Sequence, residues 1–345
     1  MPDTPARIGS FEVLRRVGAG GMGEVFLGTR PDGGFVAIKR LLRQASKDPV
    51  FVGMFLDEGR LARRLDHPHI ARLYELGKSP EGHYLAIEWV DGGSVEELLA
   101  KARGLGPLPV GVACRIVADV AEALGYAHGL RGDDGTPLEL VHRDVSPANV
   151  LVSFTGHAKL LDFGLAKART QLQKTEPGMV KGKFGYLAPE QLGGRLDART
   201  DLFSLGLVLW ELLAGRRYFD QATAAATVAA ARSHAVCTSV RTLRPDVPEA
   251  LDEVLRQVTA GDADARPATA AAFRAALEAA APLAPREELA ERVRASFPER
   301  RGERNRGSLL ELDPVVSEPA ARRRWPALLL VGAAVLAAVA FALTR

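Results

Sequence analysis

Cysteine is scarce in this chain, since only Cys114 and Cys237 occur among its 345 residues. A disulfide framework or a cysteine-based metal site needs several clustered cysteines, so both are excluded and a reducing compartment is favoured. A surplus of charge of one sign is also missing, because the net charge is only +3. So small a charge gives no support for nucleic-acid binding, and we expect no nucleic-acid partner.

The N-terminus lacks an apolar stretch, and the chain shows no repeat period. A secretory signal and a repeat architecture are therefore not expected. With 47% hydrophobic and 25% charged residues, the composition is that of a folded globular protein rather than a disordered one. The length suits one large two-lobed domain or two domains of ordinary size.

One long apolar run lies at the C-terminal end. Residues 325–343 read WPALLLVGAAVLAAVAFAL, and residues 322–324 before them are three arginines. A helix needs about 20 apolar residues to cross the roughly 30 Å core of a bilayer. Because Lys and Arg gather on the cytoplasmic side, we expect one transmembrane helix in the cytoplasmic (inner) membrane, with the preceding chain in the cytoplasm. A buried core helix is the alternative, but the run has no evident partner.

Short strands dominate the first part of the chain and helices the second. Strand-like runs recur up to residue 90 around one helical pattern at 51–65, and helices prevail over 191–277. This order predicts a small, mostly β N-terminal lobe and a larger helical lobe. Residues 278–324 are rich in Pro, Glu and Arg. We interpret them as a juxtamembrane linker, in which 285–295 is a candidate polar helix.

A glycine cluster lies between two of the predicted strands. Residues 18–25 read GAGGMGEV, and glycines let a backbone approach a ligand closely and offer N–H groups to phosphates. The pattern G-x-G-x-x-G is weak evidence alone. Its dinucleotide-binding form needs a strand followed by a helix, whereas a strand follows here, which argues against that interpretation.

Charged residues with a characteristic order follow the glycine cluster. Lys39 ends an apolar strand, and Glu58 on the next helix is placed to orient its ammonium group. The later motifs are His-Arg-Asp at 142–144, Asn149, Asp-Phe-Gly at 162–164 and Ala-Pro-Glu at 188–190. Each motif has an ordinary structural explanation when taken alone, such as a solvated lysine at a strand end, but six in order leave little room for chance.

Together these motifs resemble the eukaryotic-type (Hanks-type) protein kinase superfamily over about residues 11–277. Within it, the chain looks most like the membrane-anchored Ser/Thr kinases of bacteria, and HRDVSPAN at 142–149 is similar to a myxobacterial variant. The resemblance implies an α+β, two-lobed protein kinase fold. It also implies that ATP phosphorylates serine and threonine hydroxyls of protein substrates, including the kinase itself, in signal transduction.

The resemblance implies a role for each matching side chain. Lys39, held by Glu58, would bind the α- and β-phosphates of ATP. Asp162 and Asn149 would hold Mg²⁺, or Mn²⁺ in its place, since such cations prefer oxygen ligands. Asp144 would accept the proton of the substrate hydroxyl, while transfer itself depends on positioning and charge neutralisation.

The same resemblance implies a nucleotide site made of the glycine loop, a hinge at 88–90 and apolar walls, with Ile87 as gatekeeper. Two further positions would be structural: Asp201 would brace the catalytic loop, and Arg266 would pair with Glu190. The expected cofactor-binding residues are Val17, Gly18, Ala19, Gly20, Gly21, Met22, Gly23, Glu24, Val25, Ala37, Lys39, Glu88, Val90 and Leu151.

Two positions depart from the usual Ser/Thr kinase pattern. Ser146 replaces a lysine that contacts the γ-phosphate, and Lys183 replaces a threonine that reaches the catalytic aspartate. We interpret them as one exchange, in which Lys183 supplies the cation and Ser146 the hydroxyl, so both are candidate catalytic residues. Outright loss of a transition-state cation would be costly. The alternative is that Lys183 faces solvent and the site is weaker.

Regulation is expected in the activation segment that precedes Ala-Pro-Glu. In kinases of this type, an arginine such as Arg143 pairs with a phosphate there. Thr175 or Thr170 is the expected autophosphorylation site, because Tyr186 is expected to be packed. Self-association at the membrane would favour phosphorylation in trans. Residues 129–140 form a longer connection than usual, and their Gly, Asp and Pro content predicts a surface hairpin.

Three other interpretations remain open. A pseudokinase scaffold would be favoured by loss of Lys39, Asp144 or Asp162, yet all three are present. Tyrosine specificity is favoured by Ser146, but the loop lacks the Ala-Ala-Arg type of sequence found in tyrosine kinases. A different kind of nucleotide-binding protein is opposed by the spacing of the motifs.

Overall fold

An antiparallel six-stranded sheet forms the N-terminal lobe of the computed structural model, which describes residues 5–19, 23–163, 183–192, 196–219, 226 and 238–300. The strands are β1 (Arg7–Ile8), β2 (Phe11–Ala19), β3 (Gly23–Thr29), β4 (Phe35–Leu41), β5 (Leu73–Ser79) and β6 (Gly82–Glu88), in the order β1-β2-β3-β4-β6-β5. On β4, Val36 and Ile38 are fully buried. Because side chains alternate along a strand, Ala37 and Lys39 share the opposite face. The expected mostly β lobe is therefore present.

Helix α1 (Pro49–Ala62) packs on this sheet. It begins where the Asp48 carboxylate accepts a hydrogen bond from the Val50 amide at 2.8 Å, a cap that contributes about 1 kcal/mol. Its buried face carries Phe55, Glu58 and Gly59. The helix predicted over 51–65 is confirmed, although it begins and ends slightly earlier. Burial of a glutamate on this face is what directs Glu58 towards the sheet.

The C-terminal lobe contains helices and a small second sheet. This sheet contains β7 (Gly92–Ser94), β8 (Val150–Ser153) and β9 (Ala158–Leu160) in that order. The helices that the structure describes in full are α2 (Val95–Leu105), α3 (Val110–His128), α4 (Ala198–Ala214), α5 (Glu249–Val258), α6 (Ala270–Ala280) and α7 (Arg286–Ser296). Helix α4 is the centre of the lobe, because every residue from Thr200 to Leu213 is buried. The predicted helical lobe is confirmed.

The connection between α3 and the catalytic loop is a hairpin at the surface. The Leu138 amide donates to the Leu130 carbonyl at 2.9 Å, and the Gly132 amide donates to the Thr136 carbonyl at 2.8 Å. At the turn, the Asp134 carboxylate accepts from the Thr136 amide at 3.0 Å. The surface hairpin predicted for 129–140 is confirmed.

The first part of the predicted linker, which begins at residue 278, is folded into helices. Helix α6 continues to Ala280, and α7 is present close to the predicted candidate helix at 285–295. However, α7 is not a solvated polar helix, since Leu289 and Val293 are fully buried against the domain. The few apolar side chains of α7 lie on one face of the helix. The many charged residues make the helix polar on average, so its composition does not reveal this face.

The predicted membrane helix at 325–343 lies outside the described residues. Of the helices that the structure describes, none is long and apolar enough to cross a bilayer.

Candidate active site

Three charged side chains meet between the two lobes. The Lys39 Nζ lies 2.9 Å from Glu58 Oε1 and 3.2 Å from Asp162 Oδ1. Burial lowers the pKa of Lys39, but the carboxylates of Asp162 and Glu58 outweigh this effect, so its pKa is raised and the ammonium stays charged. The contact predicted between Lys39 and Glu58 is present, and Asp162 joins it from the other lobe.

Asp162 holds an unusual backbone conformation at this point. Its φ is +56°, a left-handed conformation that costs an aspartate about 1–2 kcal/mol. The next residue, Phe163, is buried and packs edge-on against the His142 ring, with centroids 4.6 Å apart. The ring Nε2 of His142 is 2.7 Å from the Leu161 carbonyl. The strain is therefore held by packing on both sides, and it turns the Asp162 carboxylate towards Lys39.

Helix α4 fixes the catalytic loop, which comprises residues 142–149. Asp201 accepts hydrogen bonds from the backbone amides of His142 at 2.8 Å and Arg143 at 2.7 Å. It also lies 2.8 Å from His128 Nε2, and its side chain is only 1% exposed. The bracing role expected for Asp201 is confirmed. Arg143 has a φ of +66°, so the bracing also maintains a strained backbone next to Asp144.

Asn149 is bound to Asp144 through its amide nitrogen. The Nδ2 group donates to the Asp144 carbonyl at 2.7 Å and to Asp144 Oδ2 at 2.8 Å. The short turn Pro147–Asn149 brings the two side chains together. This orientation leaves the amide oxygen of Asn149 available to a cation.

The described residues fit a divalent metal ion that is bound together with the phosphates of a nucleotide. They contain no group of three or more His, Cys, Asp or Glu side chains arranged to hold a metal ion. A Mg²⁺ bound together with a nucleotide needs only one or two protein oxygens, because phosphates and water complete its octahedron. The Asp162 carboxylate and the Asn149 amide oxygen are oxygen ligands of this type.

Strands β2 and β3, which flank the glycine segment, pair as a hairpin. Gly18 pairs with Val25, and Ala19 pairs with Glu24, so a strand follows the glycines as predicted. Gly20, Gly21 and Met22 lie outside the described residues. A helix would have to follow the glycines in a dinucleotide-binding motif, so that alternative is excluded.

The apolar residues expected around the adenine lie on neighbouring strands. Val25 on β3 is opposite Lys39, and Ala37 on β4 is opposite Ile87 on β6. Leu151 lies on β8, in the small sheet of the other lobe. Val25 and Ala37 therefore belong to the N-terminal lobe, and Leu151 belongs to the C-terminal lobe.

An ionic brace beside the glycine hairpin was not predicted from the sequence. The carboxylate of Glu24 lies 2.9 Å from both Arg16 and Arg40. The hydrogen bond from Arg40 is the main reason that the pKa of Glu24 is lowered. Glu24 and Arg40 are directly opposite on β3 and β4. Their opposite charges would have revealed the pair once the strand register was known.

The hinge has a side-chain contact that was also missed. Glu88 was expected to serve through its backbone, but its carboxylate lies 2.8 Å from Lys159 Nζ on β9. The Arg72 amide donates to the same carboxylate at 3.2 Å. Val90, two residues further on, is buried. The Glu88 side chain therefore joins the start of the hinge to the C-terminal lobe.

Ser146 is buried beside the catalytic loop. Its side chain is almost fully enclosed, and no described residue makes a hydrogen bond with its hydroxyl oxygen. Buried hydroxyl groups normally have a partner, so this orphaned group is a candidate for contact with a ligand. Lys183 begins the short turn Lys183–Tyr186, but its side chain lies outside what the structure describes.

Two structural pairs complete the surroundings of the site. Arg266 makes a two-pronged ion pair with Glu190 at 2.7 and 2.9 Å, so the predicted pair is confirmed. The Tyr186 hydroxyl donates to Glu211 at 2.7 Å, and Tyr186 is buried as predicted. Thr170 and Thr175 lie outside the described residues, so their modification stays a prediction.

A family model described as "Protein kinase domain" matches residues 11–277. The chain belongs to the protein kinase family. Members of this family use ATP with a divalent metal ion. In this chain, Lys39 contacts Asp162, and Asn149 contacts Asp144.

Named relatives of this kinase domain include a tyrosine kinase and serine/threonine kinases. The chain is 40% identical over 278 residues to the tyrosine-protein kinase MasK of Myxococcus xanthus, covering 78% of this chain and 43% of MasK. It is 34% identical over 260 residues to the serine/threonine-protein kinase PrkC of Bacillus subtilis, covering 74% of this chain and 38% of PrkC. The chain thus spans about two fifths of the length of these curated relatives.

Solved structures share the fold of the kinase domain. The crystal structure of the Mycobacterium tuberculosis PknI kinase domain aligns with a TM-score of 0.60 at 31% sequence identity. The alignment covers 80% of this chain and 97% of that chain.

Proposed function

We propose that the chain is a serine/threonine protein kinase that transfers the γ-phosphoryl group of ATP to hydroxyl groups of protein substrates and of itself. One observation carries this proposal. Lys39, paired with Glu58 at 2.9 Å, lies 3.2 Å from Asp162, so the phosphate-binding cation and the metal-binding carboxylate are already in contact. Named serine/threonine kinase relatives support the substrate class.

Each side chain has a defined task in this function. Lys39 binds phosphate oxygens, and its raised pKa keeps it protonated throughout the neutral range. Asp144 orients the substrate hydroxyl and accepts its proton, while the Asn149 amide fixes the Asp144 carboxylate at 2.8 Å. Bound Mg²⁺, or Mn²⁺, supplies neutralisation of the phosphate charge, and Asp162 and Asn149 are the residues that would hold it.

In this proposal, Ser146 and Lys183 exchange their usual roles beside the γ-phosphate. The cation comes from Lys183, and the hydroxyl comes from Ser146. The buried Ser146 hydroxyl supports this proposal, because buried hydroxyl groups normally have a partner and none of the described residues makes a hydrogen bond with this one.

Tyrosine phosphorylation is a second candidate, because MasK is named as a tyrosine kinase and Ser146 removes a hallmark of Ser/Thr kinases. A scaffold without activity is a third possibility that the intact Lys39, Asp144 and Asp162 oppose. Phosphoamino-acid analysis separates the three. The purified chain would be given Mg-ATP and a generic protein substrate, with Asp144→Asn as control. Phosphoserine and phosphothreonine support the proposal, phosphotyrosine supports the second candidate, and no incorporation supports the scaffold.

Membrane attachment is the last part of the proposal. Residues 325–343 span the cytoplasmic membrane once, and the kinase domain faces the cytoplasm, where clustering favours phosphorylation in trans. The uncharged sequence behind three arginines supports this. Deletion of residues 322–345 should move the protein from the membrane fraction to the soluble fraction of cells. Retention of the deleted protein in the membrane fraction would contradict this part alone.

A further inference from the structure

Residues 282–300, here called the C-terminal strap, fit a surface that glycines have opened for them. The strap lies beyond residue 277, where the family match ends. A Cβ atom added at Gly93 would collide with the Phe297 ring, and one at Gly156 would collide with the Arg286 carbonyl. A Cβ atom on Gly111 would press on the Pro282 carbonyl. Three glycines far apart in sequence therefore make room for one segment.

Apolar burial also fixes the strap, and an ion pair fixes it near its N-terminal end. Leu289 and Val293 are fully buried, and Phe297 is 1% exposed. Arg286 lies 2.8 Å from the carboxylate of Asp119, which is only 2% exposed. A buried carboxylate is costly without a partner, so Arg286 fulfils a need of the domain as well as of the strap.

The C-terminal end of the strap contacts the segment that follows the hinge. Arg300 donates to the Gly92 carbonyl at 2.9 Å and to Glu97 Oε1 at 2.6 Å. Glu97 also closes the capping box with Ser94 at the start of α2. The Arg300 guanidinium lies over the Phe297 ring, 4.7 Å from its centroid. The strap thus holds β7 from one side, through the Phe297 ring and the Arg300 guanidinium.

This contact lies close to the expected adenine site. Gly92 and Gly93 follow the hinge at 88–90 with only Asp91 between them, and β7 pairs with β8, which carries the apolar wall residue Leu151. Glu88, at the other end of the hinge, is fixed by Lys159 at 2.8 Å. The hinge backbone is therefore fixed at both ends, by β9 at its start and by the strap at its end.

We propose that Phe297 and Arg300 are positioning residues for the nucleotide, which set the affinity of the cleft for ATP by holding the backbone after the hinge. This inference rests on the proposed function, because it assumes that the hinge binds the adenine of ATP. Neither residue touches the reacting atoms. Their loss should weaken ATP binding and leave the phosphoryl transfer step itself intact.

The test uses the chain of 345 residues in detergent, with KM for ATP and kcat measured separately. Arg300→Ala should raise KM for ATP about tenfold, as expected for loss of charge-assisted hydrogen bonds, with kcat at saturating ATP within about twofold. Arg300→Lys should recover part of the loss. Arg292→Ala is the matched control, because Arg292 lies on the same strap but donates to the Leu105 and Gly106 carbonyls at the other end of α2. Its KM for ATP should not change.

Gly93→Ala provides an independent second test. Its new methyl group should displace Phe297, so Gly93→Ala and Phe297→Ala should each raise KM for ATP, and the double variant should be no worse than the more impaired single variant. Equal KM values for wild type and Arg300→Ala, or fully additive effects of Gly93→Ala and Phe297→Ala, would overturn the inference. An inactive wild type would instead refute the proposed function. Arg300 is about one-third exposed, so Arg300→Ala remains informative if Phe297→Ala does not fold.

Discussion

The ammonium of Lys39 lies 2.9 Å from a carboxylate oxygen of Glu58, which is 3% exposed. Glu58→Gln keeps the shape and one acceptor but removes the charge that holds Lys39 against Asp162. We expect kcat/KM to fall about 10- to 100-fold, the usual effect of losing a charge-assisted hydrogen bond. Steady-state kinetics would measure the change. Glu96→Gln, at an exposed ion pair with Arg217, is the control and should leave kcat/KM unchanged.

Exchange of roles between Ser146 and Lys183 predicts a loss of activity at both positions. Lys183→Ala should lower kcat about 100-fold or more, since it removes a transition-state cation. Ser146→Ala should also lower kcat, yet it should leave the free energy of unfolding nearly unchanged, because the Ser146 hydroxyl has no described hydrogen-bond partner to lose. Asp144→Asn sets the floor of activity. If kcat of Lys183→Ala stays near that of wild type, the exchange is wrong.

The buried carboxylate of Asp201 predicts a coupling between stability and activity. An asparagine at this position has one oxygen for the amides of His142 and Arg143, and its NH₂ group would face the other amide. We expect Asp201→Asn to lower the free energy of unfolding by about 1–3 kcal/mol, the cost of a buried unsatisfied donor, and to lower kcat as the catalytic loop loosens.

Denaturant unfolding and kinetics on the same samples would test the Asp201 prediction. Asp197→Asn is a suitable control, because Asp197 caps the same helix α4 but is half exposed. Asparagine caps helices as well as aspartate does, so the control should lose less than about 1 kcal/mol. Equal stabilities of Asp201→Asn and wild type would show that the brace is dispensable.

Local motifs predicted the centre of the site, because phosphoryl transfer restricts the residues there. Lys39 ends a strand, Glu58 falls on the buried face of α1, and the Asp144–Asn149 spacing brings both side chains to one turn. The Glu190–Arg266 pair was also found from sequence, although 76 positions separate the two residues. In that case the family pattern supplied the long-range information that the residues alone did not carry.

Helix α7 shows what the sequence did not reveal. Its charged residues and the flanking prolines are typical of a linker. Only Leu289 and Val293 within the helix, and Phe297 directly after it, mark the buried face with strongly apolar side chains at a spacing of four. Its stability depends on glycines at positions such as 93 and 156, which no local pattern connects to it. The Glu24–Arg40 pair was missed for a similar reason, because it depends on strand register.

His67 predicts a specific loss of stability in mild acid. The His69 amide donates to His67 Nδ1 at 3.2 Å, which requires that nitrogen to be unprotonated. Burial, together with the charge of His69, lowers the pKa of His67 below its ordinary value of 6.5. The unfolded chain therefore binds a proton at a higher pH than the folded chain does. Stability from this group is present above about pH 6.5 and falls as pH decreases through the lowered folded pKa.

His67→Asn isolates the effect of this histidine. The asparagine side-chain oxygen can replace Nδ1 as acceptor for the His69 amide, but it does not titrate. We expect the free energy of unfolding of wild type to fall more steeply than that of His67→Asn as pH is lowered from 7.5 to 5. Some slope should remain in the variant, because burial also lowers the pKa of His157, whose ring stacks on that of His69. Both curves would be measured by denaturant unfolding at each pH. Parallel curves for the two proteins would mean that folding does not change the pKa of His67.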